Sequence, residues 1–147
     1  MNGQDPQEIF MQLTTLLKQK EEQISIMQEQ IGMIYENLES LNSAKKTVEG
    51  LKELKEDDEI LVPIGSIGVV KAKIQDPHNF IVQVGADISI EKNAEDTIKY
   101  IDKNIESINS TRKLAESEFK KIMQEIQQLE QTKNTLLQQV SRQGIQK

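Results

Sequence analysis

Apolar residues recur at alternating spacings of three and four along two long segments of this chain, and few folds accommodate that pattern. In the first segment one row is Phe10, Leu17, Ile24, Ile31, Leu38 and Lys45, and the other is Leu13, Lys20, Met27, Ile34, Leu41 and Val48. Ten of these twelve positions are apolar. The second segment carries Ile98, Ile101, Ile105, Ile108, Arg112, Ala115, Phe119, Ile122, Ile126, Leu129, Lys133, Leu136 and Val140, eleven of thirteen apolar. Each segment therefore predicts a coiled-coil helix, over about residues 6–55 and 94–143. Asp5-Pro6 supplies a cap and a first helical residue for one, and Asn93-Ala94-Glu95-Asp96 supplies a cap and first-turn acid for the other. The helices are nearly equal in length and leave and return to one short segment. The simplest packing is an antiparallel two-helix coiled coil with both chain termini at the same end. Lys20, Lys45, Arg112 and Lys133 interrupt the stripe. Long cationic side chains there set register and snorkel to solvent; a second reading makes them weakened layers that can open.

Between the helices, Glu59–Lys92 changes period from helical to two. It is rich in Val and Ile and punctuated by Gly and Pro, which predicts four strands at about Ile60–Ile64, Ile67–Ile74, Phe80–Val84 and Asp87–Glu91. Gly65-Ser66 and Gly85-Ala86 read as two-residue hairpin loops with Gly at the position that needs positive φ. Asp76-Pro77-His78-Asn79 links the two hairpins. Pro63 cannot donate a ladder hydrogen bond, so its N-side faces an edge. Two hairpins are too small for a core of their own. Yet Ile60, Val62 and Ile64, and then Phe80, Val82 and Val84, line single faces. With Val69, Ile74, Ile88 and Ile90 they form the candidate oligomer interface. The cover for this surface is either the flanking helices or other copies of such a sheet.

Composition narrows the function. Hydrophobic residues make up 36%, aromatic residues 3% and charged residues 29%, which suits solvated helices around a narrow seam better than a thick globular core. The formal net charge is −6 and no segment is strongly basic, so no face is suited to neutralising nucleic-acid phosphates. There is no cysteine, which fits a reducing, cytoplasmic setting. No apolar run approaches a membrane span, and Met1-Asn2-Gly3-Gln4-Asp5-Pro6 has neither a basic n-region nor an apolar h-region. His78, the single histidine, sits in a turn without a ligand set. Gly65-Ser66-Ile67-Gly68 has the G-x-x-G spacing of a nucleic-acid clamp, but it joins strands and lacks basic neighbours, so it reads as a hairpin turn. No phosphate-binding loop occurs. The expectation is a protein that is not an enzyme, with no cofactor, no metal, no nucleic-acid partner and no membrane partner.

One feature exceeds the needs of a two-helix seam. Ile9, Met11 and Leu16 lie beside Phe10, Leu13 and Leu17, while Leu137 and Ile145 lie beside Leu136 and Val140. Either the seam is fatter there, or the shared end is an exposed apolar grip. In the second case Ile9, Phe10, Leu13, Leu16, Leu17, Leu136, Leu137 and Val140 are its residues.

The order helix, two hairpins, helix resembles the alpha class of prefoldin subunits. The match is specific in the strands: Glu59-Ile60-Leu61-Val62-Pro63-Ile64-Gly65-Ser66, Val70-Lys71-Ala72-Lys73-Ile74, Ile81-Val82-Gln83-Val84-Gly85-Ala86 and Ile90-Glu91-Lys92-Asn93. The resemblance implies a single prefoldin-like domain over residues 1–147. It also implies a hexamer of two alpha-class and four beta-class subunits, whose hairpins join into a β-barrel platform. The implied activity is that of an ATP-independent holdase, which holds non-native client proteins at the coiled-coil tips and delivers them to a group II chaperonin. Two other readings compete: a structural spacer or tether without client binding, and an arm that binds RNA within a larger complex. Net acidity weighs against the last.

Overall fold

The computed structural model describes residues 5–144, with side chains described through Ser141; Ile145 lies outside them. The chain is mainly α with a small β segment. Its elements are α1 (Pro6–Leu51), β1 (Glu59–Pro63), β2 (Val69–Lys73), β3 (Asn79–Gly85), β4 (Ile88–Asn93) and α2 (Ala94–Gly144). It divides into two compact units. The terminal unit comprises residues up to Tyr35 and from Ser110 on; the hairpin unit is Glu36–Asn109.

Both helix starts are capped by side chains. The Asp5 carboxylate accepts from the Gln7 N–H at 3.1 Å. At α2 the Asn93 side-chain oxygen Oδ1 accepts from the Asp96 N–H at 2.8 Å, and the Asn93 side-chain amide donates back to the Asp96 carboxylate at 3.1 Å. These caps satisfy first-turn N–H groups that have no partner within the helix. Helix α1 stops at Leu51, short of the expected residue 55. There Asp57 adopts a φ of 69°, and the Asp58 carboxylate accepts from the Lys55 N–H at 2.8 Å, so the chain turns before the strand.

The seam follows the sequence closely. All twelve α1 seam residues are buried or half-buried, and in α2 only Val140 is exposed. In the terminal unit Leu17 and Ile122 are buried, Ile122 to 1% exposure. In the hairpin unit Val48, Ala94 and Ile101 form a buried cluster, against which Leu41, Phe80, Ile98 and Ile105 pack. Each seam cation has a partner on the opposite helix. Lys20 meets Glu125 at 2.6 Å and Lys45 meets Asp102 at 2.6 Å. The Arg112 guanidinium lies 5.8 Å from the centre of the Tyr35 ring and the Lys133 ammonium 5.5 Å from that of Phe10. Contacts whose partners remain open to solvent add little to stability, so apolar burial holds the helices together and the cations fix which layers meet.

The hairpins differ from expectation in their turns. Strand β1 pairs antiparallel with β2, from Glu59 opposite Lys73 to Pro63 opposite Val69. The Ile64 N–H donates to the Gly68 carbonyl at 2.9 Å, which closes a three-residue loop, Gly65–Ile67, in place of the two-residue Gly65-Ser66 loop. Ile67 is thereby a loop residue rather than the start of a strand, and it is 89% exposed. Pro63 falls between hydrogen-bonded pairs, with its N-side at the sheet edge. In the second hairpin Gly85 pairs with Ile88, so the two-residue loop is Ala86-Asp87, not Gly85-Ala86. Both loop residues have positive φ, 46° and 58°, as a type I′ turn requires. A bulge at Val84 absorbs the extra residue, and Gly85 takes a φ of 121° that side chains disfavour.

Truncating Ile122 to Ala removes a fully buried side chain and is expected to cost about 2–5 kcal/mol. Gln127→Ala, on the exposed face, should stay within about 0.5 kcal/mol. Thermal melts followed by circular dichroism check this; equal shifts for the two variants would refute the seam assignment.

Candidate functional site

The first turns of α1 and the last turns of α2 enclose an apolar cleft in the terminal unit. Pro6, Gln7, Phe10 and Met11 line it from α1, and Leu136, Leu137 and Val140 from α2, around about 360 Å³. Phe10, Leu136 and Val140 are seam residues. Met11 and Leu137 stand next to the seam and broaden it into a surface that neither helix covers, being 69% and 44% exposed. Four of the eight residues expected in the grip therefore meet here. Ile9 and Leu13 are half-buried outside the lining, Leu16 is exposed away from it, and Leu17 is core at 5% exposure. Pro6 and Gln7 join the cleft although their sequence context signals only a helix start. Met11 could have been assigned to it from its place beside Phe10.

The hairpin unit carries a second apolar surface. Strand side chains alternate, so the β1–β2 register places Ile60, Val62, Ile64, Val70 and Ala72 on one face and Leu61, Pro63 and Val69 on the other. Ile74 extends the first face, since its N–H donates to the Asp58 carbonyl opposite it at 2.9 Å. Val69 thus lies on the opposite face from Val62, because the three-residue loop shifts the pairing by one and flips every side chain of the second strand. In the second hairpin Phe80 is half-buried and packs on the helices' own core cluster. Val82, Val84, Ile60 and Ile74 are half-buried, whereas Val62, Ile64, Val69, Ile88 and Ile90 are exposed. Leu61, Val70 and Ile81, outside the expected set, are also exposed, to 60%, 48% and 82%.

His78 sits in the turn whose N–H groups the Asp76 carboxylate accepts, from His78 at 2.9 Å and Asn79 at 3.2 Å. The Asn79 amide bond, and then the His78 N–H, hold the Asp76 carboxyl below its ordinary value. Among the described residues no cluster of three or more His, Cys, Asp or Glu side chains could hold a metal ion, and no helix is long and apolar enough to cross a membrane. In the terminal unit the Tyr35 hydroxyl donates to the Glu116 carboxylate at 2.6 Å, and Arg112 donates to both of its oxygens at 2.9 Å. The tyrosine hydrogen bond, and then the guanidinium, lower the Glu116 carboxyl below its usual range. The Asp102 hydrogen bond raises the Lys45 ammonium.

Paired helices, two small antiparallel hairpins and an apolar cleft where α1 begins and α2 ends define a coiled-coil protein with a short β segment between its helices. The prefoldin subunit family model matches residues 20–139. The prefoldin subunit alpha 1 of Thermococcus kodakarensis is 38% identical over 99 residues, spanning 63% of this chain and 68% of that one. The prefoldin subunit alpha of Methanococcus aeolicus is 29% identical over 129 residues, spanning 78% of this chain and 90% of its own. A filamentous PFD of Methanocaldococcus jannaschii, solved by cryo-EM, superposes with a TM-score of 0.68 at 28% identity, over 79% of this chain and 96% of that one. The chain belongs to the prefoldin family, in its alpha class.

A carboxyl whose folded pKa is depressed contributes stability that is present above its unfolded pKa, about 4.3, and is lost as pH falls through the folded value. Tyr35→Phe should therefore lower the melting temperature at pH 7 and lose that difference in acid below the folded pKa of Glu116. Melts of both proteins across the acid range check the sign; a difference that persisted unchanged in acid would remove Glu116 as its cause.

Proposed function

We propose that this chain is the alpha subunit of an ATP-independent holdase, a single prefoldin-like domain over its whole length that works in the cytoplasm. Prefoldin is a chaperone family rather than an enzyme family. In this reading two copies join four beta-class subunits, and their hairpins build a shared β-barrel platform. The helix ends hold non-native proteins, which pass to a group II chaperonin.

The observation that carries the reading is the cleft of Phe10, Met11, Leu136, Leu137 and Val140 where α1 begins and α2 ends. Unfolded chains offer apolar segments of no fixed sequence. Burying such surface gains roughly 25 cal/mol per Å², so one cleft holds a client weakly and reversibly. Several clefts on one assembly raise the effective concentration and make holding useful. Helix ends are also the least stable part of a helix pair, and their fraying enlarges the surface on offer. Methionine suits such a site because its unbranched side chain adapts to many shapes. None of this needs a nucleotide.

The exposed hairpin residues support the assembly half. Val62 pairs with Val70 in the β1–β2 ladder, and the two are 39% and 48% exposed on one face. The double change Val62→Asp, Val70→Asp would bury two unpaired charges in any contact made by that face, at several kcal/mol each. The expected result is loss of the oligomer, by mass, with helical circular dichroism retained. Oligomer mass unchanged by the double substitution would exclude this face from the contact.

The grip has its own test. Phe10→Ser with Leu136→Ser, assembled with a beta-class subunit, should keep the oligomer mass and lose much of its suppression of citrate synthase aggregation by light scattering. The partner's own helix ends leave a remainder. A complex with every subunit changed in this way that still suppressed fully would show that clients are held elsewhere.

A second mode of assembly has a specific observation behind it. The similar Methanocaldococcus chain is filamentous, and hairpin β1–β2 here has exposed apolar residues on both faces, Val62 on one and Leu61 on the other. Self-association of this chain alone is therefore a second reading. The mass of the isolated chain across concentration separates it from assembly that requires a beta-class partner.

A further inference from the structure

We propose that Lys133 is a positioning residue for the grip: it holds the Phe10 ring as the wall of the cleft and keeps the cleft from closing. The inference rests on the reading of that cleft as the client site.

Lys133 occupies a seam position where the pattern otherwise calls for an apolar residue, and it is half-buried there. Its ammonium lies 5.5 Å from the centre of the Phe10 ring, across from α2 to α1. Phe10 lines the apolar cleft and Lys133 does not. Lys133 lines instead a neighbouring, more polar cleft with Leu17, Glu21 and Glu130. The lysine therefore stands on the boundary between a dry surface and a wet one and acts on the dry one only through the ring.

Two physical effects follow from that placement. A cation over an aromatic face is attracted by the ring's negative quadrupole. This fixes the orientation of Phe10 before a client arrives, so less freedom is lost on binding. An apolar residue at the same seam position would bring the layer into ordinary tight packing. The Phe10 ring would then be drawn into the seam, and the surface that widens around Met11 and Leu137 would shrink. Lysine cannot close the layer in this way, because its ammonium must remain near water. The same substitution that strengthens the helix pair should thus weaken the grip, which a merely structural role for Lys133 does not predict.

The absence of cysteine allows one label to report on this chain's own cleft. Ser141, exposed and one turn beyond Leu137, is changed to Cys and tagged with an environment-sensitive dye. The full-length chain is assembled with a beta-class subunit and titrated with guanidine-unfolded citrate synthase. Lys133→Met should shift half-saturation to about two- to five-fold higher client, the size of an exposed cation–π contact, while the melting temperature stays level or rises. Lys133→Arg, which keeps a cation over the ring, should restore parental binding. In a Phe10→Leu background Lys133→Met should have no further effect. Parental binding by Lys133→Met, or an equal loss when Phe10 is already Leu, would overturn the role of Lys133 while leaving the cleft as the client site. A parental complex that suppresses aggregation without any change in the dye would overturn the cleft assignment and this inference with it.

Discussion

The fold depends on one constraint: each long helix carries a single narrow apolar stripe, and only another such stripe can remove it from water. An isolated helix gains little from its backbone hydrogen bonds, and most helical stability comes from packing an apolar face. Ile122, at 1% exposure, shows how completely the pairing can bury a side chain even without a third layer. The cations in the seam follow from the same constraint. Apolar layers slide past one another at little cost, whereas Lys20 with Glu125 and Lys45 with Asp102 specify one alignment in their respective units.

The seam was legible because helical period is a property of the chain itself and survives without a partner. Turn positions were not, because a hairpin's loop is set by which residues pair, and that is decided by both strands together. Gly65 and Gly85 both take positive φ, yet neither loop has the expected two-residue form that starts at them. Alternation likewise told that Phe80 and Val82 share a face, but not that Phe80 turns to the cluster around Val48 and Ile101. Faces of a sheet become distinguishable only when the neighbouring helices are in place.

The cleft was half legible for a related reason. Leu17 and Phe10 hold equivalent seam positions, and sequence cannot say where burial gives way to exposure at the end of a helix pair. The structure places that change between them, with Leu17 at 5% exposure and Phe10 lining the cleft. Pro6 and Gln7 were assigned to starting the helix, and they do so, but the first turn that a cap organises is also the cleft's rim. One residue can satisfy a local backbone need and present a surface at the same time.

Strands β1 to β4 lie in two separate two-stranded sheets, so each has one side without a pairing partner among the described residues. Leu61, Ile67 and Ile81 stand exposed on or beside them. Such edges are templates for adding strands from any source, including other copies. Natural edges are often blunted by charge, proline or a covering helix; here Pro63 and the Lys71 and Lys73 side chains supply only part of that protection. Synthesised beyond the supply of whatever covers these edges, the chain would become the kind of sticky orphan that a holdase exists to restrain. An edge strand of one copy left uncovered is therefore a ready template for an edge strand of the next.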